Sequence, residues 1–275
     1  MHPLLANVGP IPIHTYGFLI AIGFLLGMYT IKRLAIAAKM DAERILDFSF
    51  WSILVGFLGA RLLFILTRFG DFSADPLAMF KVWEGGLVFF GGPMAVLPFS
   101  IWYFKKHSIP WWKGADVTMP GLVIAHVLGR FGCLAAGCCY GKPTGTDFGV
   151  RLTSSLVDFN LRGIPLHPTQ LYEASALFIL FLGLLWVFKR RSFDGQVALT
   201  YYVAYPIIRS IVEIFRGDLV RGFVIEDWLS TSQFISLIAF IAAATALVLR
   251  LKAVPAAPLL AEQGPRRRNG KRGRV

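Results

Sequence analysis

The run VTMPGLVIAHVLGRFGCLAA, residues 117–136, decides the fold class. It is apolar over its whole length except for Thr118, His126 and Arg130. About 20 such residues make an α-helix long enough to cross the hydrocarbon core of a bilayer. Inside that core each peptide group has to be satisfied within its own segment, so the run is expected to be a helix. Six more runs read the same way: Ile13 to Ile31, Ile45 to Leu66, Leu87 to Phe104, Leu171 to Phe188, Val197 to Phe215 and Thr231 to Leu249. The expected fold is therefore all-α, an integral membrane bundle of about seven transmembrane helices. No internal repeat is visible.

Composition supports this assignment. Hydrophobic residues make up 56% of the 275-residue chain and charged residues 16%, against about 25% in a soluble domain. One soluble core of this size would not hide that apolar surface. The net charge of +12 would suit a nucleic-acid partner, but its placement argues for a lipid bilayer instead. Basic residues sit in short clusters between the apolar runs and in the tail. Counted on alternate sides of the spans, eighteen lie on the side holding Lys32, Lys105, Lys189 and the C-terminus, and seven on the other. Cytoplasmic loops carry the excess of Lys and Arg, so the C-terminus is expected in the cytoplasm and the N-terminus outside. The expected division is a catalytic transmembrane domain over residues 1–250 and a basic, disordered cytoplasmic tail over 251–275. Trp83, Trp102, Trp111, Trp112, Trp186 and Trp228 fall near span ends, as interfacial anchors do. No secretory leader is apparent, since the first basic residue is Lys32. The long connection from Gly141 to Pro168 mixes Gly, Pro, Asp and β-branched residues and is expected to be an ordered outer loop with short strands.

Ionisable residues within spans are costly, at about 2.5–3.5 kcal/mol each on insertion scales, and they mark functional sites. Three arginines fall there: Arg61, Arg130 and Arg209. Arg130 shares a helix face with His126, four residues earlier. Asp116, fourteen residues before Arg130, is expected on the same stripe. Arg209, Glu213 and Arg216 form a second stripe at spacings of four and three. Two arginines on different helices suit a phosphate, which favours forked donors. In HPTQLYE, residues 167–173, Pro168 suits a first helical turn. That places His167 at the membrane face as a candidate base, and Gln170 and Glu173 as candidate head-group ligands. Glycines in WEGGLVFFGG, residues 83–92, and Tyr16 in HTYG, residues 14–17, add weaker signals. Cys133, Cys138 and Cys139 are an odd, clustered set, a poor disulfide framework. Adjacent cysteines on a helix point about 100° apart, so no metal site is expected.

Taken together and in order, GGLVFFGG, HVLGRFGCLAAGCCYG, HPTQLYE and RSIVEIFRGD resemble the prolipoprotein diacylglyceryl transferase family, over nearly all of Tyr16 to Gln233. The resemblance implies transfer of the diacylglyceryl group of phosphatidylglycerol to the lipobox cysteine of a prolipoprotein signal peptide. Glycerol phosphate is released, and no cofactor is needed. The implied location is the outer leaflet of the bacterial inner membrane. Arg130 and Arg209 match the family's two essential arginines, and Glu213 follows Arg209 as it does there. Tyr16, Asp116, Gly141, His167, Gln170 and Glu173 also stand in matching contexts. Phe90 occupies a place where many members carry His or Tyr, which removes one candidate base. A membrane transporter of an anionic solute is the rival assignment, since buried arginines also line anion paths.

Overall fold

The computed structural model describes residues 4–8, 11–72, 75–81, 85–217, 223–225 and 229–253. Trp83, Glu84, Asp218, Trp228 and the tail from Val254 lie outside them. The described chain opens with an antiparallel hairpin, β1 (Leu4–Val8) and β2 (Ile11–His14). Seven helices follow: α1 (Thr15–Ala37), α2 (Ala42–Thr67), α3 (Gly91–Lys106), α4 (Trp111–Ala136), α5 (Thr169–Arg190), α6 (Gln196–Phe215) and α7 (Thr231–Ala253). Six are long and apolar enough to cross a membrane, and the protein is a multi-pass membrane protein. Their outer faces carry large apolar side chains that only lipid would cover: Leu25, Leu58 and Ile179 are 65%, 65% and 70% exposed.

Glycines set the closest helix contacts. A Cβ on Gly27 of α1 would stand 2.8 Å from the Gly121 carbonyl of α4, so the two backbones touch. Lipid tails supply no hydrophobic force between helices, and such close packing is how membrane helices associate. Further in, Ile31, Val117, Val123, Leu177, Leu184 and Val197 join α1, α4, α5 and α6 in one apolar core.

α3 differs from the expected Leu87–Phe104 span. It has sixteen residues, about 24 Å of helix, less than the ~30 Å hydrocarbon core. The reason lies just before it. Gly85 and Gly86 adopt φ of +88° and +81°, which no right-handed helix accommodates. Arg61 of α2, buried at 7% exposure, satisfies the irregular backbone there. Its Nη1 donates to the Gly85 and Gly86 carbonyls, its Nη2 to those of Ala78 and Lys81, and its Nε to Met79. Non-helical backbone beside a membrane helix persists only where protein groups satisfy it. The first of the three intramembrane arginines is thus a clasp for a loop.

Asp116 performs a comparable task at the far end of α4. It is fully buried, and its Oδ2 and Oδ1 accept from the backbone N–H groups of Gly195 (2.8 Å) and Ala198 (3.0 Å) at the start of α6. The carboxylate caps a helix that has no capping side chain of its own, and its charge faces the positive end of the helix dipole. The Arg191 Nε lies 3.8 Å away. At the same end, cations stack on tryptophans: Lys106 on Trp102, Arg190 on Trp186 and Arg250 on Trp112. This end collects the basic clusters and the aromatic belt.

The opposite end is closed by the long connection, ordered as expected. β3 (Val150–Arg151) pairs antiparallel with β4 (Pro165–Leu166). Tyr140, Leu152, Val157 and Leu166 give the connection a small core. It is stitched to α6, since Lys142 N–H donates to Phe215 and Gly217 N–H to Tyr140. A last hairpin, β5 (Phe223–Ile225) with β6 (Leu229–Ser230), precedes α7. Leaving a buried acceptor unpaired costs about 1–3 kcal/mol. Replacing Arg61 by Leu should therefore lower the thermal unfolding midpoint in detergent by roughly 2–12 °C, at about 2–4 °C per kcal/mol. An unchanged midpoint would refute the clasp.

Candidate active site

Four chain segments meet at the closed end: the start of α1, the end of α4, the start of α5 and the end of α6. Each ion-bearing residue there is placed by helical spacing. On α4, Arg130 Nε donates to His126 Nε2 at 3.3 Å, one turn back. The same His126 Nε2 lies 3.8 Å from Glu173 Oε1. On α6, Arg209 Nη2 meets Glu213 Oε2 at 2.7 Å, and Arg216 Nη1 lies 3.9 Å from the same oxygen.

Glu173 of α5 joins the two stripes. Its side chain is 1% exposed, and its Oε1 lies 2.8 Å from Arg130 Nη2. Oε2 lies 3.6 Å from Arg209 Nη1. One carboxylate thus stands between the arginines of two other helices. The spans bring Arg130 and Arg209 to the same place, with side chains 14% and 11% exposed. Among the described residues the cluster gathers the guanidiniums of Arg130, Arg209 and Arg216 around the carboxylates of Glu173 and Glu213. Arg209 Nη1 is also buried without a hydrogen-bond acceptor among the described residues. A buried guanidinium donor without an acceptor in a low-dielectric setting suits an anionic ligand.

The other expected site residues surround this cluster in different roles. Tyr16, in the first turn of α1, packs against Gly132 of α4 within electrostatic reach of Arg130. His167 lies outside α5, two residues before its first residue, Thr169. Its Nδ1 lies 3.2 Å from the Tyr172 hydroxyl, and its ring meets the Phe215 ring edge-on at 5.4 Å. Gly141 is buried where any Cβ would collide with His167, and its N–H donates to the His167 carbonyl. Gln170 is buried, its Nε2 donating to the Cys138 carbonyl at 2.7 Å. Thr169 Oγ1 donates to the next carbonyl, Cys139, also at 2.7 Å.

Asp116 does not join them. Fourteen residues of helix put it about 21 Å from Arg130 along α4, and both its oxygens are engaged at α6. Sequence spacing had placed it on the right face at the wrong depth for a shared ligand. Tyr205 is a residue that spacing alone did not single out. It lies within electrostatic reach of Arg130, its ring lies 5.6 Å from His126, and it stacks on Tyr201. The signal was present, because Tyr205 precedes Arg209 by four residues on the same stripe.

The chain matches the family model described as Prolipoprotein diacylglyceryl transferase over residues 3–249. A phosphatidylglycerol--prolipoprotein diacylglyceryl transferase of Clostridium tetani is 35% identical over 241 residues, 88% of this chain and 94% of that protein. Its namesake in Oceanobacillus iheyensis is 29% identical over 254 residues, covering 90% and 88%. Another in Bordetella bronchiseptica is 30% identical over 240 residues, covering 83% and 89%. With a match this long, and with the arginine cluster formed from segments spread along it, the chain belongs to the prolipoprotein diacylglyceryl transferase family.

Proposed function

We propose that this protein transfers the diacylglyceryl group of phosphatidylglycerol to the cysteine thiol of a prolipoprotein signal peptide, with Arg130 and Arg209 holding the lipid phosphate. The observation that carries the clamp is the pair of arginines sharing Glu173, with one Arg209 donor left over. In the reaction the peptide thiol loses its proton and its sulfur bonds the glyceryl carbon. The carbon–oxygen bond to phosphate breaks, and glycerol phosphate leaves with the electron pair. A diester carrying one negative charge becomes a monoester carrying more. A site with two convergent guanidiniums and a preset donor stabilises that product-like state more than the starting lipid, and this difference is what accelerates a reaction.

Glu173 and Glu213 hold the guanidiniums in place before the lipid arrives, so little reorganisation is left to the transition state. Arg216 lends its charge through Glu213. Tyr16, Gly141 and Gln170 shape the entrance rather than supply charge. His167, at the rim with its Nε2 facing away from Tyr172, is assigned the proton of the incoming thiol, because a thiolate is the nucleophile. The basic clusters and their tryptophans lie at the other end of the bundle. By the positive-inside rule that end faces the cytoplasm, which puts the cluster toward the outer leaflet of the bacterial plasma membrane.

Oriented donors to developing charge are worth about 3–4 kcal/mol each, or 10²–10³ in rate. Arg209→Lys keeps the charge and loses the fork, so it should lower transfer to a lipobox peptide at least about 100-fold. The variant should still insert and purify as a monodisperse protein; normal turnover would contradict the clamp. Asp116→Ala should do the reverse, lowering the unfolding midpoint while turnover per folded molecule stays near that of the parent. A selective loss of turnover at unchanged stability would place Asp116 in the chemistry after all.

A further inference from the structure

The three cysteines take no part in the clamp, yet the fold gathers them. Cys133, Cys138 and Cys139 have their sulfur atoms within 4.8 Å of one another. The expectation of divergent thiols assumed one continuous helix. α4 instead ends at Gly137, which takes a left-handed φ of +80°, and the chain turns back on itself. Gly137 N–H and Cys138 N–H both donate to the Cys133 carbonyl, closing a Schellman turn. Cys139 follows with φ +60°, a conformation that costs a non-glycine residue about 1–2 kcal/mol. Gln170 and Thr169 hold that turn by the two 2.7 Å bonds to the Cys138 and Cys139 carbonyls. A strained residue kept in place by buried side chains of another helix is a feature in need of a purpose.

The thiols are also reachable. Cys138 and Cys139 line a cavity of about 550 Å³ between this turn and the long connection. All three cysteines are free and half-buried. Metal–sulfur bonds of about 2.3 Å put thiolates about 3.8–4.0 Å apart around one ion, so the triangle needs to close by less than about 1 Å. Charge favours this as well. Three thiolates around a divalent ion carry one negative charge, and Arg130 lies within electrostatic reach of Cys133 and Cys139, and Arg216 of Cys139.

We propose that Cys133, Cys138 and Cys139 form a three-thiolate site for a thiophilic metal ion of the zinc, cadmium or copper(I) class. The filled site presents negative charge beside Arg130. Resting on the transferase assignment, it follows that a bound ion competes with the lipid phosphate and slows transfer.

The full chain, reduced and freed of reductant, is titrated anaerobically in detergent with Cd²⁺ alone. The expected result is a thiolate-to-cadmium charge-transfer band that saturates at one ion per chain with the intensity of three thiolates. The chain has no other cysteine, so the parent spectrum by itself identifies the ligands. Cys139→Ser should weaken binding at least tenfold. Absence of a saturable band, or a band with the intensity of a single thiolate, overturns the site. In a parallel assay, stoichiometric Cd²⁺ should slow transfer by the parent and leave C133S/C138S/C139S, expected to transfer at the basal rate, unaffected. Full-rate transfer by a parent chain with Cd²⁺ bound overturns the competition and leaves the site standing.

Discussion

The Glu173 carboxylate, fully enclosed and shared between Arg130 and Arg209, is the contact on which the rest of the site depends. Burying a charge without a partner costs several kcal/mol, so none of these groups is stable there alone. α4, α5 and α6 each bring part of an ion set that only their assembly neutralises. The carboxylate that holds the bundle's closed end together also sets the positions of the two guanidiniums.

The two ends of the bundle divide the work. At the basic end Asp116 caps α6, and cations stack on Trp102, Trp112 and Trp186, which fixes the helices relative to one another. At the closed end the long connection ties α4, α5 and α6 through backbone bonds at Gly141, Lys142 and Gly217. Arg61 stabilises a loop beside α2 in the same way that Asp116 stabilises a helix start. Of three arginines in apolar segments, one is spent on a loop and two converge on a shared carboxylate. What separates them is the partner: backbone carbonyls for Arg61, carboxylates for the others.

Much of this was legible in the sequence. Apolar run length decides a membrane helix almost by itself, because bilayer thickness and helix rise are constants. Spacings of three and four placed Arg209, Glu213 and Arg216 on one stripe, as found. Periodicity says which face a residue occupies but not what stands opposite or how deep it lies. So Asp116 was grouped with Arg130 although a helix length separates them, and spacing gave no sign that Glu173 stands between both arginines. The cysteine sulfurs lie closer together than helical spacing implies, for a related reason. A left-handed turn at Gly137 changes the direction of every residue after it, and sequence spacing carries no sign of that change.

The most direct measurement is the structure of the protein in nanodiscs containing phosphatidylglycerol, at a resolution that defines lipid head groups. The account predicts phosphate density bridging Arg130 and Arg209, with Arg209 Nη1 donating to it and Glu173 retained between the two guanidiniums. Phosphate density lying elsewhere, with the two guanidiniums turned to separate surfaces, would contradict it.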